Sequence, residues 1–275
     1  MNTSTNHASR RCLLAALAAL SFSRLAADTA PAEHDMADLA KKLANPTASL
    51  ISVPLQGNID WGGGPNDDGM QFKLNLQPVI PIDLNPEWKI LSRYIVPYVY
   101  QEDRIGTGSQ SGLGDSTATF WFSPAADKPG EPIWGVGPVF QLPTATDDLL
   151  GAEKWCFGPS AIVLKQEHGY TYGFLANQVW SFAGADDRAD VSYLFFQPFF
   201  TFTNAKHTTY GVNLESVYDW KSEEWTVPLN LFITQLVKIG GKPVSFQGGV
   251  RYYLDKPAGG PDWGVRFGVT LVFPK

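Results

Sequence analysis

The feature that most constrains this chain is a strict alternation of apolar and polar side chains along several long segments. In the last of them, every odd position from Trp263 to Phe273 is large and apolar, and the positions between are mostly small or polar. Successive side chains of a strand point to opposite faces, so the pattern predicts a β-strand with one apolar and one polar face. The segments MQFKLNLQ, WTVPLNLFI and VSFQGGVRYYL alternate in the same way.

The length of these segments favours strands that cross a membrane. About twelve of them, each of roughly 10–13 residues, follow one another along the chain, whereas strands of globular proteins are usually about 5–6 residues long and a tilted transmembrane strand needs about 9–11. The predicted strands lie near residues 49–61, 70–82, 88–101, 114–123, 133–143, 155–165, 170–182, 191–203, 208–219, 225–238, 243–254 and 262–273.

The connections between the predicted strands alternate between long and short. GGGPNDDG, EDRIGTGSQSGLGD and TATDDLLGAEK follow odd-numbered strands, whereas turns such as QEHG, NAKH and IGGK follow even-numbered ones. Outer-membrane barrels have an even number of strands, long outer loops and short periplasmic turns. We therefore predict an all-β fold, a transmembrane antiparallel β-barrel of about 12 strands over residues 49–275, with a soluble secreted β-sandwich as the alternative.

Seven prolines fall inside the predicted strands, where each removes a backbone donor. They predict bulges, bends or strands that are shorter than the ranges given above. These residues are Pro54, Pro78, Pro97, Pro138, Pro159, Pro198 and Pro228.

The start of the chain has a different character. Residues 1–27 combine a basic stretch, an apolar core and small residues before Ala27, a pattern typical of a cleaved signal peptide. Residues 28–48 are predicted to be a periplasmic segment with a short amphipathic helix, which places Met36, Leu39 and Leu43 on one face and ends before Pro46. This helix could pack against the barrel, fray beside it, or plug its lumen.

The nine tryptophans lie near the ends of the predicted strands, Trp121 among them. Tryptophan favours the membrane–water boundary, because its ring prefers apolar contact and its N–H prefers water. Two interfacial girdles are therefore predicted. Their members are Trp61, Trp88, Trp134, Trp155, Trp180, Trp220, Trp225 and Trp263.

The polar faces of the strands predict the lumen. Buried charges must be paired or hydrated, so these side chains either brace the barrel internally or form a constriction that selects solutes. A barrel of this size leaves room for a narrow conduit, since about eight strands enclose a filled interior and about 16–18 an open channel. The predicted lumen residues are Lys73, Asn75, Arg93, Asn213, Glu215, Gln247, Arg251 and Arg266.

Catalytic and metal-binding patterns are not found in the sequence. His34, His168 and His207 have no partner at metal-ligand spacing and Cys156 is isolated, so no metal, cofactor or catalytic residue is predicted. The formal net charge is −6 and residues 1–27 carry arginines but no acid, so the remaining chain is acidic and a poor candidate for nucleic acid. Acidic loops such as PNDDG and GADDR could bind divalent cations or lipopolysaccharide, or could simply be solvated.

Several motifs resemble the bacterial outer-membrane family described as "MetA-pathway of phenol degradation". They are LANPTASLISVPLQGNIDWG, NLQPVIPIDLNPEW, GLGDSTATFWFSP, IWGVGPVFQLPTATDD, FGPSAIVL, YGFLANQVWSFAG and GGPDWGVRFGVTLVFPK, and they extend from about residue 44 to the end. The resemblance implies a β-barrel that moves small compounds, aromatic ones included, across the outer membrane. GLGD (residues 112–115) and PTATDD (residues 143–148) are expected to shape loops or the pore mouth.

The resulting hypothesis is a passive, narrow channel for small organic solutes in the outer membrane of a Gram-negative bacterium, and not an enzyme. Its expected partners are outer-membrane lipid, lipopolysaccharide, these solutes and the barrel-assembly machinery, which is thought to recognise a terminal strand ending on an aromatic such as Phe273. Two alternatives are a structural or adhesive barrel that binds ions or lipopolysaccharide through its loops, and, less favoured, a lipid-modifying barrel enzyme.

Overall fold

The computed structural model describes residues 33–45, 48, 50–106, 108–126 and 130–273. The predicted signal peptide, residues 1–27, lies outside them. Within the described residues, one helix, α1 (Glu33–Leu43), precedes fifteen strand segments. The segments are β1 (Ile51–Gly63), β2 (Gly69–Leu76), β3 (Val79–Asp83), β4 (Trp88–Glu102), β5 (Ser109–Leu113), β6 (Ser116–Pro124), β7 (Ile133–Leu142), β8 (Lys154–Glu167), β9 (Tyr170–Gly184), β10 (Ser192–Thr203), β11 (Thr208–Leu214), β12 (Ser216–Asp219), β13 (Glu224–Ile239), β14 (Lys242–Asp255) and β15 (Trp263–Phe273).

These segments form one closed antiparallel barrel. Strand β1 pairs with β15 from Ile51↔Phe273 to Trp61↔Trp263, which joins the two ends of the sheet in sequence order, and β9 pairs with β10 along its length. Three of the barrel strands are interrupted and consist of β2 with β3, β5 with β6, and β11 with β12. The described residues therefore form a barrel of 12 strands, and the predicted fold is confirmed. No helix among them combines the length and apolar character needed to span a bilayer.

Two of the mid-strand prolines coincide with irregularities in the ladder. Pro78 separates β2 from β3, so the strand predicted as continuous over residues 70–82 has two pieces. Pro228 lies at a register shift in the β13–β14 pair, and its carbonyl accepts a hydrogen bond from the Glu215 N–H at 3.2 Å. Glu215 is itself the break between β11 and β12. The missing proline donors are thus accommodated partly by short strands and partly by bulges.

The outer surface of the barrel is apolar. Each of the twelve strands presents at least one large, exposed apolar side chain, for example Leu55 on β1, Phe200 on β10 and Val250 on β14. Exposed apolar surface on this scale is characteristic of a face that contacts lipid or another protein.

The two ends of the barrel differ. We call the end at which Ile51 pairs with Phe273 the terminus end, and the end at which Trp61 pairs with Trp263 the loop end. The connections at the loop end include the long acidic segments, whereas β8 and β9 are joined at the terminus end by two residues.

One side of the barrel interior is filled by apolar packing rather than by polar groups. Leu91, Trp121, Ile162, Leu164 and Leu175 form a buried cluster there. These side chains belong to β4, β6, β8 and β9, whose neighbouring strands contribute half-buried Ile133, Phe195 and Phe199. The polar lumen therefore occupies only part of the cross-section.

Trp121 corrects the expectation that every tryptophan lies at the membrane boundary. Its side chain is only 1% exposed, and its Nε1–H donates a hydrogen bond to the Ser160 hydroxyl at 2.7 Å. It pairs with Leu91 in the β4–β6 register, on the inward face. Because Phe120 and Phe122 take the outward positions on either side, the alternation leaves Trp121 inside the barrel.

Helix α1 lies within the terminus end of the barrel. Its apolar face, which includes Met36 and Leu39, packs against Leu236 of β13 and Val272 of β15. Both barrel residues point inward, since they continue the polar face of their strands. The Gln166 side chain of β8 donates a hydrogen bond to the Lys41 carbonyl at 2.9 Å. The amphipathic helix predicted within residues 28–48 is therefore seated inside the lumen.

Candidate functional site

All eight predicted lumen residues line one interior cavity. This charged cavity has a volume of about 310 Å³ and lies towards the loop end. Its walls come from β1, β2, β4, β10, β11, β14 and β15, from Gln77 at the β2–β3 break and from Glu215 at the β11–β12 break. It holds the cations Lys73, Arg93, Arg251 and Arg266, which face the carboxylates of Asp60 and Glu215.

Glu215 and Arg266 form the strongest contact in the charged cavity. The guanidinium donates two parallel hydrogen bonds, from Nη1 to Oε1 at 2.8 Å and from Nη2 to Oε2 at 2.7 Å. Its Nε–H donates to Asn58 Oδ1 at 2.8 Å, so the orientation of Arg266 is fixed from two sides. The break between β11 and β12 places Glu215 where it can reach across to β15. Such two-pronged pairs are rigid and directional.

Arg251 connects this pair to the loop end. Its Nε lies 3.1 Å from Asp60 Oδ1, an ionic contact without hydrogen-bond geometry, and its Nη1 lies 3.7 Å from Glu215 Oε2. Its Nη2 donates to the Tyr253 hydroxyl at 3.1 Å. Asp60, Asn58 and Tyr253 were not among the predicted lumen residues. Asp60 and Asn58 could have been found, because they share the inward face of β1 with Gln56 in the alternating segment LQGNIDW.

Neutral amides continue the polar wall towards the terminus end. Arg93 Nη2 donates to Gln77 Oε1 at 2.7 Å, and Gln77 Nε2 donates to Gln56 Oε1 at 3.1 Å. Gln56 Nε2 in turn donates to Gln247 Oε1 at 3.3 Å. On the neighbouring strands β13 and β11, Asn230 Nδ2 donates to Asn213 Oδ1 at 2.7 Å.

The two remaining cations of the cavity are not neutralised. Among the described residues, neither Lys73 nor Arg93 forms a salt bridge, whereas Arg251 contacts both Asp60 and Glu215, and Arg266 contacts Glu215. Asn75 lies on the same strand as Lys73. Its buried Oδ1 has no hydrogen-bond partner among the described residues. The charged cavity therefore carries a surplus of positive charge and leaves polar groups available to a solute or to water.

Two further cavities adjoin the charged one. The helix-side cavity, of about 300 Å³, extends from Gln56 and Gln247 to Leu43 and Asn45 at the helix. The apolar alcove, of about 330 Å³, lies to the side. Residues that line the alcove include Ile95, Trp121, Val139, Leu175, Tyr193, Phe195 and Val217. Among the described residues, Arg93 is the one side chain that lines all three spaces.

The motifs GLGD and PTATDD contact each other at the loop end. The Asp115 carboxylate accepts hydrogen bonds from the backbone N–H of Ala145 at 3.3 Å and of Ala152 at 2.8 Å. The Thr144 hydroxyl donates to the Gly114 carbonyl at 3.0 Å, and the Thr146 hydroxyl accepts from the Leu113 N–H at 3.0 Å. These bonds fix the loop after β7 against the β5–β6 break. These contacts therefore fix the shape of the loop.

The eight tryptophans predicted as girdles point away from the interior. Trp88 and Trp134 lie at the terminus end with ring centroids 6.1 Å apart. The other six lie at the loop end, where Trp61 and Trp263 have ring centroids 4.7 Å apart. Trp155, Trp180 and Trp220 are among the exposed ones. Their role at a membrane boundary stays a prediction.

The histidines lie away from these cavities. His168 and His207 occupy turns at the terminus end, with φ values of 50° and 61°. Within the described ranges, no three His, Cys, Asp or Glu side chains are arranged to hold a metal ion.

Comparison with solved structures places this fold among outer-membrane barrels. An outer-membrane channel from Pseudomonas putida F1 matches with a TM-score of 0.63 at 14% identity, over 82% of this chain and 94% of that one. Outer membrane phospholipase A from Escherichia coli matches with a TM-score of 0.47 at 10% identity, over 80% of this chain and 89% of that one. The first likeness shows a shared fold, and the second is too low to support an inference. No protein-family model and no curated protein matches the chain.

Proposed function

We propose that this protein is a narrow, passive conduit for small organic solutes in the outer membrane of a Gram-negative bacterium. The observation that carries the proposal is the hollow polar interior. The charged cavity and the helix-side cavity share six lining side chains, and together they extend from Tyr253 near the loop end to Asn45 at the helix. A barrel that served only as a scaffold would have no need of such a space, because a filled interior is more stable.

A membrane location is supported by the outer surface. The exposed apolar side chains on every strand would be costly in water and favourable against acyl chains. In this orientation the terminus end would face the periplasm and the acidic loops would face lipopolysaccharide. Phe273, on the last strand, would be available to the barrel-assembly machinery.

A finer assignment follows from the sequence resemblance. The motifs that resemble the "MetA-pathway of phenol degradation" family favour small organic substrates, with aromatic compounds among them. The fold shared with the Pseudomonas putida channel supports a channel in general. The contact between GLGD and PTATDD would then hold the loops that form the outer mouth.

Helix α1 would limit the passage at its inner end. The described part of its buried face is apolar, and its packing against the wall centres on Met36 and Leu39. Solutes would pass from the charged cavity into the helix-side cavity. They would then leave either through the space beside the helix or after the helix has been displaced. A helix in this position would make the conductance small, and removal or displacement of this N-terminal segment would raise it.

A liposome-swelling assay with the refolded, detergent-purified protein tests the proposal. Proteoliposomes are mixed with isosmotic solutions of small sugars, amino acids and benzoate, and empty liposomes serve as the control. We expect swelling that falls steeply with solute size. Swelling no faster than that of empty liposomes, both for the full chain and for a variant lacking residues 28–45, would contradict a conduit and favour a structural or adhesive barrel.

A further inference from the structure

The apolar alcove has a composition unlike the rest of the lumen. Trp121, Tyr193 and Phe195 bring three aromatic rings to its wall, and aliphatic side chains such as Val139 and Leu175 complete it. Two of the polar groups on the aromatic side chains here already have partners. Trp121 Nε1–H donates to Ser160 Oγ at 2.7 Å, and the Tyr193 hydroxyl donates to Gln141 Oε1 at 3.0 Å. Thr117, Thr119 and Asn177 add a few polar groups, so the alcove offers a surface that is mainly apolar and aromatic.

Arg93 stands where the alcove opens into the charged cavity. Of its guanidinium donors, Nη2 is engaged by Gln77 at 2.7 Å, and no carboxylate among the described residues forms a salt bridge with the group. A guanidinium has five N–H donors in a planar fork that matches a carboxylate. Most of the N–H donors of that fork are available. Lys73 adds a second cation on the wall of the charged cavity.

A ligand that satisfies both surfaces must have two parts. We propose that the alcove and Arg93 together form a binding site for a small monocarboxylate with a compact apolar or aromatic body. The carboxylate lies against Arg93, and the body enters the space between Trp121, Tyr193 and Phe195. This inference rests on the proposed conduit and names the class of solute that it holds.

The size and charge of the site exclude other classes. Its volume of about 330 Å³ is at the lower end of the range for ligand pockets, about 300–1,000 Å³, which fits a single ring better than a larger molecule. An organic cation would be repelled by Arg93 and Lys73. A neutral aromatic compound would contact the alcove but could not form the ion pair with Arg93. A small hydrophilic anion such as acetate would form the ion pair but would not fill the alcove.

Binding is measured by isothermal titration calorimetry on the folded protein in detergent, so the readout does not depend on flux. The probes are benzoate, cyclohexanecarboxylate, benzyl alcohol, benzylamine and acetate. Benzoate and cyclohexanecarboxylate are expected to bind at least about tenfold more tightly than the other three. If both carboxylates bind, but unequally, their ratio measures how much the aromatic rings contribute.

Two substitutions separate the halves of the site. Arg93→Gln removes the cation and should weaken benzoate binding about tenfold or more while leaving benzyl alcohol unchanged within about twofold; Arg93→Lys should restore part of the loss. Val217→Phe fills the alcove from β12, and should weaken benzoate and cyclohexanecarboxylate but not acetate. Lys221→Gln is the matched control, because it removes a positive charge that is exposed at the loop end.

Folding of each variant is verified by its heat-modifiable migration on gels, so that loss of binding is not confused with loss of the barrel. Equal binding of benzoate and benzyl alcohol to the native protein would overturn the proposal. So would loss of benzoate binding in Lys221→Gln equal to that in Arg93→Gln. Benzoate binding without any solute flux would uphold the site and contradict the conduit, whereas flux without selective binding would contradict the site alone.

Discussion

Arg266 on β15 and Glu215 between β11 and β12 face each other across the lumen in a two-pronged ion pair, with N–O distances of 2.8 and 2.7 Å. Strands β13 and β14 separate these two elements in the barrel wall, so the pair spans the interior rather than joining neighbouring strands. It therefore both braces the barrel and narrows it. Its geometry is that of a brace across the interior, and the selection of solutes by these charges stays a prediction.

Replacing Glu215 by Gln should affect stability and selectivity together. Arg266, 3% exposed, would lose its carboxylate, and we expect the free energy of unfolding in lipid vesicles to fall by about 2 kcal/mol. The surplus positive charge of the cavity would increase, so the reversal potential in a salt gradient should shift towards anion preference.

The matched control is Glu167→Gln, which removes a carboxylate paired with Lys165 at 2.8 Å on the exposed rim. It should leave both the unfolding curve and the reversal potential unchanged, since solvent-exposed pairs contribute little. Equal effects of the two substitutions would show that Glu215 has no special role in the lumen.

A lysine at Leu39 should displace helix α1 from the barrel. Leu39 is 5% exposed and packed against the interior wall, whereas its neighbour Asp38 is exposed. Because an ammonium group in that apolar seat is costly, Leu39→Lys should raise single-channel conductance in planar bilayers several-fold, towards that of a variant lacking residues 28–45. Asp38→Lys is the control and should conduct as the native protein does. Unchanged conductance in the truncated variant would rule out a constricting role for the helix.

Tryptophan quenching by brominated lipid should distinguish Trp121 from the outward tryptophans. Trp180 is 46% exposed on the outer face, and Trp121 is 1% exposed inside the barrel. Trp180→Phe should therefore reduce the quenchable part of the fluorescence, while Trp121→Phe should reduce the part that lipid does not quench. The same measurement on Trp88→Phe tests the girdle at the terminus end. Loss of quenchable emission in Trp121→Phe would place that ring at the lipid.

A methyl group at Gly158 should destabilise the barrel. A Cβ on this residue of β8 would collide with the backbone carbonyl oxygen of Gln178 and approach Val179, so the paired strands must move apart. We expect Gly158→Ala to cost about 1–3 kcal/mol in urea unfolding. Gly248→Ala on β14 is the control, because nothing lies within 4 Å of the added atom. A neutral Gly158→Ala would mean that β8 and β9 are spaced more widely than the structure has them.

Much of this architecture could be predicted because the side-chain period of a strand is two. Once Phe246 is assigned to lipid, Gln247 must face the lumen, and the same rule brought all eight predicted residues to one cavity. Asp60 and Tyr253 were missed although both obey that rule, since Tyr253 shares a face of β14 with Gln247 and Arg251.

Other features depend on information that alternation does not contain. The apolar face of Met36 and Leu39 would fit any apolar surface, so its seat inside the barrel could not be inferred. Residues 120–122 are all aromatic, so alternation alone does not say which face of β6 is the lumen; the register that pairs Trp121 with buried Leu91 does. The buried apolar cluster did leave a readable trace: residues 161–164, AIVL, are a continuous apolar run that includes Ile162 and Leu164, which indicates a strand covered on both faces.

The most direct test of the account is a cysteine scan along β14 in a Cys156→Ser background, with the protein in lipid vesicles. Cysteines at Ser245 and Gln247 should react with a small water-soluble thiol reagent, and cysteines at Phe246, Gly248 and Val250 should not, because the first set lines the hollow interior and the second lies on the outer face. Reaction at Phe246, Gly248 and Val250 with protection at Ser245 and Gln247 would contradict a lipid-embedded barrel with a water-filled interior.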